Sequence, residues 1–297
     1  MNKKGRCGVK KKKRANASNA LINRKATWVL GIAVVLTATF SLFTLRRPQQ
    51  EPVEIFAMSA VVVNANNGRV LYEKSAHMPL LPSSITKLAA LLPVFEAIED
   101  GRLEFDTEIT VSARAAGVHA SRAGFLAGDV VTAYGLIMAA MLPSGSEAVM
   151  ALGEYLFGSE EGFVEAMNEA AERLGMTNTH FTNSVGLDHE EHFMSAYDIA
   201  ILARHFISYH PRIFEFTSRE FYVYQRPNGV LIRMRNTNDM LRFDGVNGLK
   251  TGSGPMSGSS LVFTHERGRT MQVYVVLSSP QGSMRRHDTE LLLRRFR

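Results

Sequence analysis

The hydrophobic period of the chain changes twice after residue 55. Ile55 to Asn64 (IFAMSAVVVN) is an apolar, β-branched run, Asn66-Asn67-Gly68 is a turn signal and Arg69 to Glu73 (RVLYE) is a second short run, which together predict a hairpin. Apolar residues then recur at three- and four-residue spacing over Ser84 to Ile98, Val131 to Leu142, Glu147 to Leu156, Glu160 to Leu174 and Ala196 to Ile207, the period of helices with a buried face. Strand-like runs return at Phe221 to Gln225, Val230 to Met234, Ser259 to Phe263 and Met271 to Leu277, followed by a closing helix near His287 to Arg295. Early hairpin, helical middle and late strands predict an α+β fold, with an antiparallel sheet assembled from both chain ends and covered by helices.

A different pattern precedes this body. Thr27 to Leu45 (TWVLGIAVVLTATFSLFTL) holds 19 residues without a charge, about 28 Å as a helix and close to the hydrocarbon thickness of a bilayer. Lys10 to Arg14 and Arg24-Lys25 lie before it, and positive flanks stay in the cytoplasm, so the body is expected outside the cytoplasmic membrane. A cleaved signal peptide shares the basic start and the apolar run. The length of the run, and Arg46-Arg47-Pro48 in place of a small-residue cleavage site, favour an uncleaved anchor. The expected organisation is a basic cytoplasmic tail at 1–26, a transmembrane anchor at 27–45, a polar linker at 46–54 and a catalytic domain at 55–297.

Charge changes the picture once it is placed along the chain. The 297 residues carry a formal charge of +6, yet residues 1–26 hold ten Lys or Arg and no acid. With Arg46 and Arg47 set aside as well, residues 48–297 keep 22 basic against 28 acidic side chains, a net of −6. The body is acidic, which removes the case for a nucleic-acid partner. The one cysteine, Cys7, lies in the basic tail, so the body contains no internal disulfide.

Three short motifs carry chemistry. Ser84 and Lys87 form S-x-x-K after Pro82 at the start of a helix, and the three-residue spacing puts hydroxyl and amine on one face. A serine hydroxyl is a weak nucleophile and a lysine becomes a base only when its pKa is lowered, which the apolar run Leu88 to Leu92 favours. Alone the motif is weak, since a chain this long contains about one by chance. Ser144-Gly145-Ser146 opens a helix 60 residues beyond Ser84, and Lys250-Thr251-Gly252 follows a β-like run 166 residues beyond it. Three motifs in this order match the set of penicillin-binding proteins and β-lactamases. In that set Ser84 attacks, Lys87 accepts its proton and Ser144 relays a proton to the leaving amine. Lys250 supplies the cation, and Thr251 the hydroxyl, that a substrate ending in a free carboxylate requires.

With these motifs and their surroundings the chain resembles the low-molecular-mass penicillin-binding proteins that are D-alanyl-D-alanine carboxypeptidases. Asn64 to Tyr72 (NANNGRVLY), Leu81 to Lys87 (LPSSITK), Leu174 to Leu187 (LGMTNTHFTNSVGL), His192 to Arg204 (HFMSAYDIAILAR) and Gly245 to Gly252 (GVNGLKTG) carry the likeness. The resemblance implies a β-lactamase/transpeptidase-like fold with a mainly helical subdomain, and peptidoglycan stem peptides ending in D-Ala-D-Ala as substrate. It implies β-lactams as covalent inhibitors, and neither metal nor organic cofactor. It also implies an oxyanion hole from the main-chain N–H groups of Ser84 and Ser253, close approach of a substrate strand at Gly252, and a carboxylate-side arginine at Arg285 or Arg286.

Three departures qualify this. Ser146 stands where the family has an asparagine whose amide holds substrate, which opens the reading of a weakly active or inactive muropeptide-binding member. Asn247 stands where an aspartate is common. The chain also ends at Arg297 without the β-rich domain and membrane-binding helix of many relatives, so attachment is expected at the N-terminus. A DD-endopeptidase cutting cross-links shares all the motifs. A class A β-lactamase would need E-x-x-L-N, which the sequence lacks. Asp188-His189-Glu190-Glu191-His192 does not have the helical H-E-x-x-H spacing of a zinc site.

Overall fold

Strands from both chain ends meet in one antiparallel sheet. In the computed structural model, which describes residues 53–297, they are β1 (Ser59–Asn64), β2 (Val70–Lys74), β7 (Val246–Gly254), β8 (Gly258–Arg267) and β9 (Thr270–Ser279). The order is β2-β1-β9-β8-β7, so β7 is an edge strand. The basic tail, the apolar stretch 27–45 and most of the linker lie outside the described residues. Among the described residues no helix is long and apolar enough to cross a membrane.

Successive strand residues point to opposite faces, and here both faces are covered. Val61, Val63, Val262, Val273, Val275 and Leu277 belong to the larger core, shared with α1 (Thr86–Glu99), α3 (Ala133–Met141), α4 (Ser146–Phe157), α5 (Glu160–Arg173) and α6 (Ala196–Tyr209). Ala60, Val62, Leu261, Phe263, Tyr274 and Val276 face the other way, onto Leu292 and Leu293 of the closing helix α8 (Gly282–Phe296). The Phe263 and Tyr274 rings stack there with centroids 4.7 Å apart. The short helices α2 (Ala113–Ala116) and α7 (Ile213–Thr217) complete the set.

Not every late run joins the sheet. β5 (Phe221–Gln225) and β6 (Leu231–Arg235) pair only with each other, as a separate ribbon. Ile232 and Met234 are buried on one face of β6, and Phe221, Val223 and Leu231 stay exposed, the alternation of a one-sided ribbon. β3 (Glu108–Thr110) and β4 (Val130–Thr132) have three residues each, too few for a period to register in the sequence. The β-like run expected before Lys250 is β7, and it continues through Lys250, Thr251 and Gly252.

Residues Thr86 to Phe95 of α1 are all buried. A helix with no wet face is a core helix, so any polar group on its first turn is cut off from water. The S-x-x-K motif sits at that turn.

Candidate active site

Ser84 occupies a 3-10 turn (Ser83–Ile85) that runs directly into α1. Lys87, one turn on, has no exposed surface. Its Nζ donates to Ser84 Oγ at 2.9 Å and to the Val185 carbonyl at 2.8 Å. Burial holds the Lys87 ammonium well below its ordinary value of 10.5, and the charge of Lys250 lowers it further, against an opposing pull from Glu147. Desolvation favours the neutral amine, the form in which a lysine acts as a base.

The turn is gripped by two glycine backbones. A Cβ on Gly186, which adopts φ +87, would lie 1.9 Å from the Ser83 carbonyl oxygen. One on Gly252 would lie 2.7 Å from the Pro82 carbonyl oxygen. The small size of Gly252, expected to admit a substrate strand, is thus already demanded by the chain's own packing. Ser83 itself has φ +49, in the left-handed region that costs a non-glycine residue about 1–2 kcal/mol.

Ser144 also takes a left-handed conformation, with φ +68, and is among the residues lining the cavity that contains Ser84 and Lys87, its Oγ buried and without a hydrogen-bond partner among the described residues. The strain aims the residue out of regular structure, as at many reactive positions. Ser121, from the loop after α2, donates its hydroxyl to the Ser144 carbonyl at 2.7 Å, and its own carbonyl accepts the Ser146 N–H at 2.8 Å. Ser146 departs from expectation. It is the first residue of α4, its side chain is fully buried, and its Oγ has no partner among the described residues. It does not line the cavity, whereas Ser121 does.

The cavity holds about 700 Å³ and runs along the free edge of β7, where Thr251, Gly252 and Ser253 form one wall. Thr251 Oγ1 and Thr237 Oγ1 share a 2.5 Å hydrogen bond. Lys250 is buried beside this wall, its Nζ donating to the Thr251 carbonyl at 3.1 Å, and burial lowers its pKa from 10.5 to about 7. Of the two arginines expected near a carboxylate, Arg285 lines the cavity and Arg286 does not. Both bind Asp239, Arg285 at 2.9 Å and Arg286 at 2.7 Å, so one carboxylate meets two guanidinium groups and positive charge is left over. Asn247 is away from the lining and accepts from Ser218 at 3.5 Å, so the missing aspartate charge does not fall on this wall.

The structure adds residues the motifs did not name. His192 Nδ1 accepts the Thr182 N–H at 3.1 Å, which fixes the proton on Nε2 for a 2.8 Å bond to Thr86 Oγ1. Both ring nitrogens are thereby engaged, and burial with the nearby His180 and His189 lowers the ring from 6.5 to about 4. A neutral His192 therefore braces the start of α1. In the sequence it stood at the head of a segment that carries the family likeness and in a metal-like spelling, and neither assigned it this role. Thr237 and the Val185 carbonyl come from loops with no periodic signal, and only the fold brings them to Ser84 and Lys87.

The sequence profile of the D-alanyl-D-alanine carboxypeptidase family matches residues 46–281. D-alanyl-D-alanine carboxypeptidase DacF of Bacillus subtilis is 34% identical over 225 residues, which are 75% of this chain and 57% of that relative. The chain thus spans less than two thirds of that relative's length. The crystal structure of the D-alanyl-D-alanine carboxypeptidase DacD from Francisella tularensis superimposes with a TM-score of 0.78 at 27% identity, over 82% of this chain and 70% of that one. Penicillin-Binding Protein D2 from Listeria monocytogenes, in its ampicillin-bound form, superimposes with a TM-score of 0.73 at 28% identity, over 82% of this chain and 98% of that one.

Proposed function

This chain belongs to the D-alanyl-D-alanine carboxypeptidase family, and we propose that it is a serine DD-carboxypeptidase removing the terminal D-alanine from peptidoglycan stem peptides. One observation carries the reading: a water-excluded lysine with a depressed pKa stands 2.9 Å from the hydroxyl of Ser84 on the wall of a cleft.

The substrate peptide lies as an added strand along the free edge of β7, the usual use of an unpaired edge in peptide recognition. Its terminal carboxylate is drawn to the end lined by Thr251 and Arg285, beside Lys250. The neutral Lys87 amine takes the Ser84 proton as Oγ attacks the penultimate carbonyl. The resulting oxyanion is met by main-chain N–H groups at Ser84 and Ser253, both on the cavity wall. Ser144 passes a proton to the nitrogen of the departing D-alanine and is reprotonated by Lys87, which returns to the neutral amine; the C–N bond breaks and an ester remains on Ser84. Water, deprotonated by the same lysine, then cleaves the ester and restores the hydroxyl. A β-lactam, which presents an acyl group and a carboxylate at similar positions, acylates the same serine. Residues 27–45 anchor the domain to the cytoplasmic membrane with the catalytic part outside.

Digestion of purified muropeptides, read by mass, tests this. Loss of one D-alanine from pentapeptides is expected. Splitting of cross-linked dimers with intact pentapeptides would instead assign an endopeptidase, and no change in either would assign a binding protein.

A further inference from the structure

The residue after the second serine motif is a buried glutamate that the reaction above does not use. Glu147 stands in the first turn of α4 and has no exposed surface. Its Oε1 accepts three successive main-chain N–H groups, from Ala123 at 2.8 Å, Gly124 at 2.7 Å and Phe125 at 3.2 Å. Its Oε2 is equally buried and has no partner among the described residues. An apolar side chain of similar volume would fill this space without the cost of desolvating a carboxylate. The charge and its three bonds therefore call for a role beyond packing.

What the carboxylate holds is the cleft wall. The same loop places Ala120 and Ser121 against the cavity, and Ser121 is bonded twice to the turn that carries Ser144. Ser144 keeps its left-handed conformation under those bonds. Of the groups whose charges act on the buried lysine, Lys250 disfavours its protonated form and Glu147 favours it.

Resting on the acyl-transfer reading, we propose that Glu147 is a positioning residue for that reaction. Its carboxylate clasps the Ala120–Phe125 wall to the start of α4, so that Ser144 and Ser121 hold their places in the cleft, and it supplies a buried negative charge acting on Lys87. It does not itself touch substrate.

Two variants separate the clasp from the charge, each followed by the rate of acylation with a fluorescent penicillin across pH and by thermal unfolding. Glu147→Gln keeps an oxygen for the three N–H groups and puts its amide nitrogen where Oε2 lacks a partner. Its plateau rate should stay within about threefold of wild type. The acidic limb should move to lower pH, because Lys87 loses a neighbour that favours its protonated form. Glu147→Asp keeps the charge but ends one methylene short of the loop. Its acidic limb should stay in place while the plateau falls on the order of tenfold to a hundredfold. A packing role alone would move melting temperatures and leave the limb fixed. An unmoved limb in Glu147→Gln overturns the electrostatic half, and a wild-type plateau in a folded Glu147→Asp overturns the clasp. Should the aspartate variant not fold, Ser121→Ala, which removes the hydroxyl bonded to the Ser144 carbonyl, decides the clasp: a plateau lowered about tenfold supports it and a wild-type plateau overturns it. An unlabelled wild-type protein would instead overturn the acyl-transfer reading, so the two failures are distinct.

Discussion

Acid should loosen the site through His192. The ring titrates at about 4 in the folded protein against 6.5 for an exposed histidine. Between those values the unfolded chain binds a proton that the folded one refuses. The stabilisation tied to the neutral ring is therefore present above pH 6.5 and is lost as pH falls toward 4. The loss amounts to about 2 kcal/mol by pH 5 and about 3 kcal/mol near pH 4. The structural event is defined: a proton on Nδ1 ends its acceptance of the Thr182 N–H and sets two donors face to face. Thr182 leads into the segment whose Val185 carbonyl holds Lys87. Urea unfolding of wild type and His192→Gln over this range isolates the effect from other carboxyl and imidazole groups. The variant should be less stable at neutral pH, having disturbed two hydrogen bonds worth about 1 kcal/mol each. The gap should close by about 2 kcal/mol on going to pH 5. A gap that stays constant over that interval would refute the reasoning.

Other outcomes follow from the same geometry. Lys250→Met removes a positive charge that depresses Lys87, so the acidic limb of penicillin acylation should shift to higher pH. In the wild type, kcat/KM for carboxylate-ended peptides should fall as pH rises through about 7, where Lys250 loses its proton; a profile flat from neutral into alkaline pH would contradict that. Ser146→Ala removes a buried hydroxyl without a partner. It should leave acylation within about twofold while holding or raising stability by about 1 kcal/mol in denaturant melts. Gly186→Ala places a Cβ 1.9 Å from the Ser83 oxygen at φ +87 and should cost 3 kcal/mol or more, about the upper range for single substitutions, with penicillin labelling lost alongside.

How much of this was legible in the sequence depended on whether the information was periodic. The hairpin of β1 and β2 and the five helices α1, α3, α4, α5 and α6 announced themselves through their spacing, and the late strands through β-branched runs. The ribbon of β5 and β6 carries the same signal as a sheet strand, because alternation reports one buried face and not the partner that buries it. Ser84, Lys87, Ser144 and Lys250 were visible as spelled motifs; the first three line one cavity where the start of α1, the α4 turn and β7 meet, and Lys250 lies buried in β7 next to Thr251, off the lining itself. Ser146 was read by position in its motif, but at the start of α4 it is buried and off the cavity lining. Ser121, Thr237, Val185 and Glu147 act through backbone carbonyls, loop contacts or burial, properties that no local pattern records.

The central claim is that Ser84 is an acyl-accepting nucleophile made reactive by Lys87. Intact-mass analysis of the full chain after exposure to benzylpenicillin, followed by peptide mapping, tests it most directly. One penicilloyl adduct on the peptide containing Ser84 is expected. It should be absent from Ser84→Ala, and in Lys87→Ala its rate of formation should fall at least a hundredfold, the order expected for loss of a general base. A folded wild-type protein that stays unmodified, or an adduct that persists in Ser84→Ala, would contradict the account.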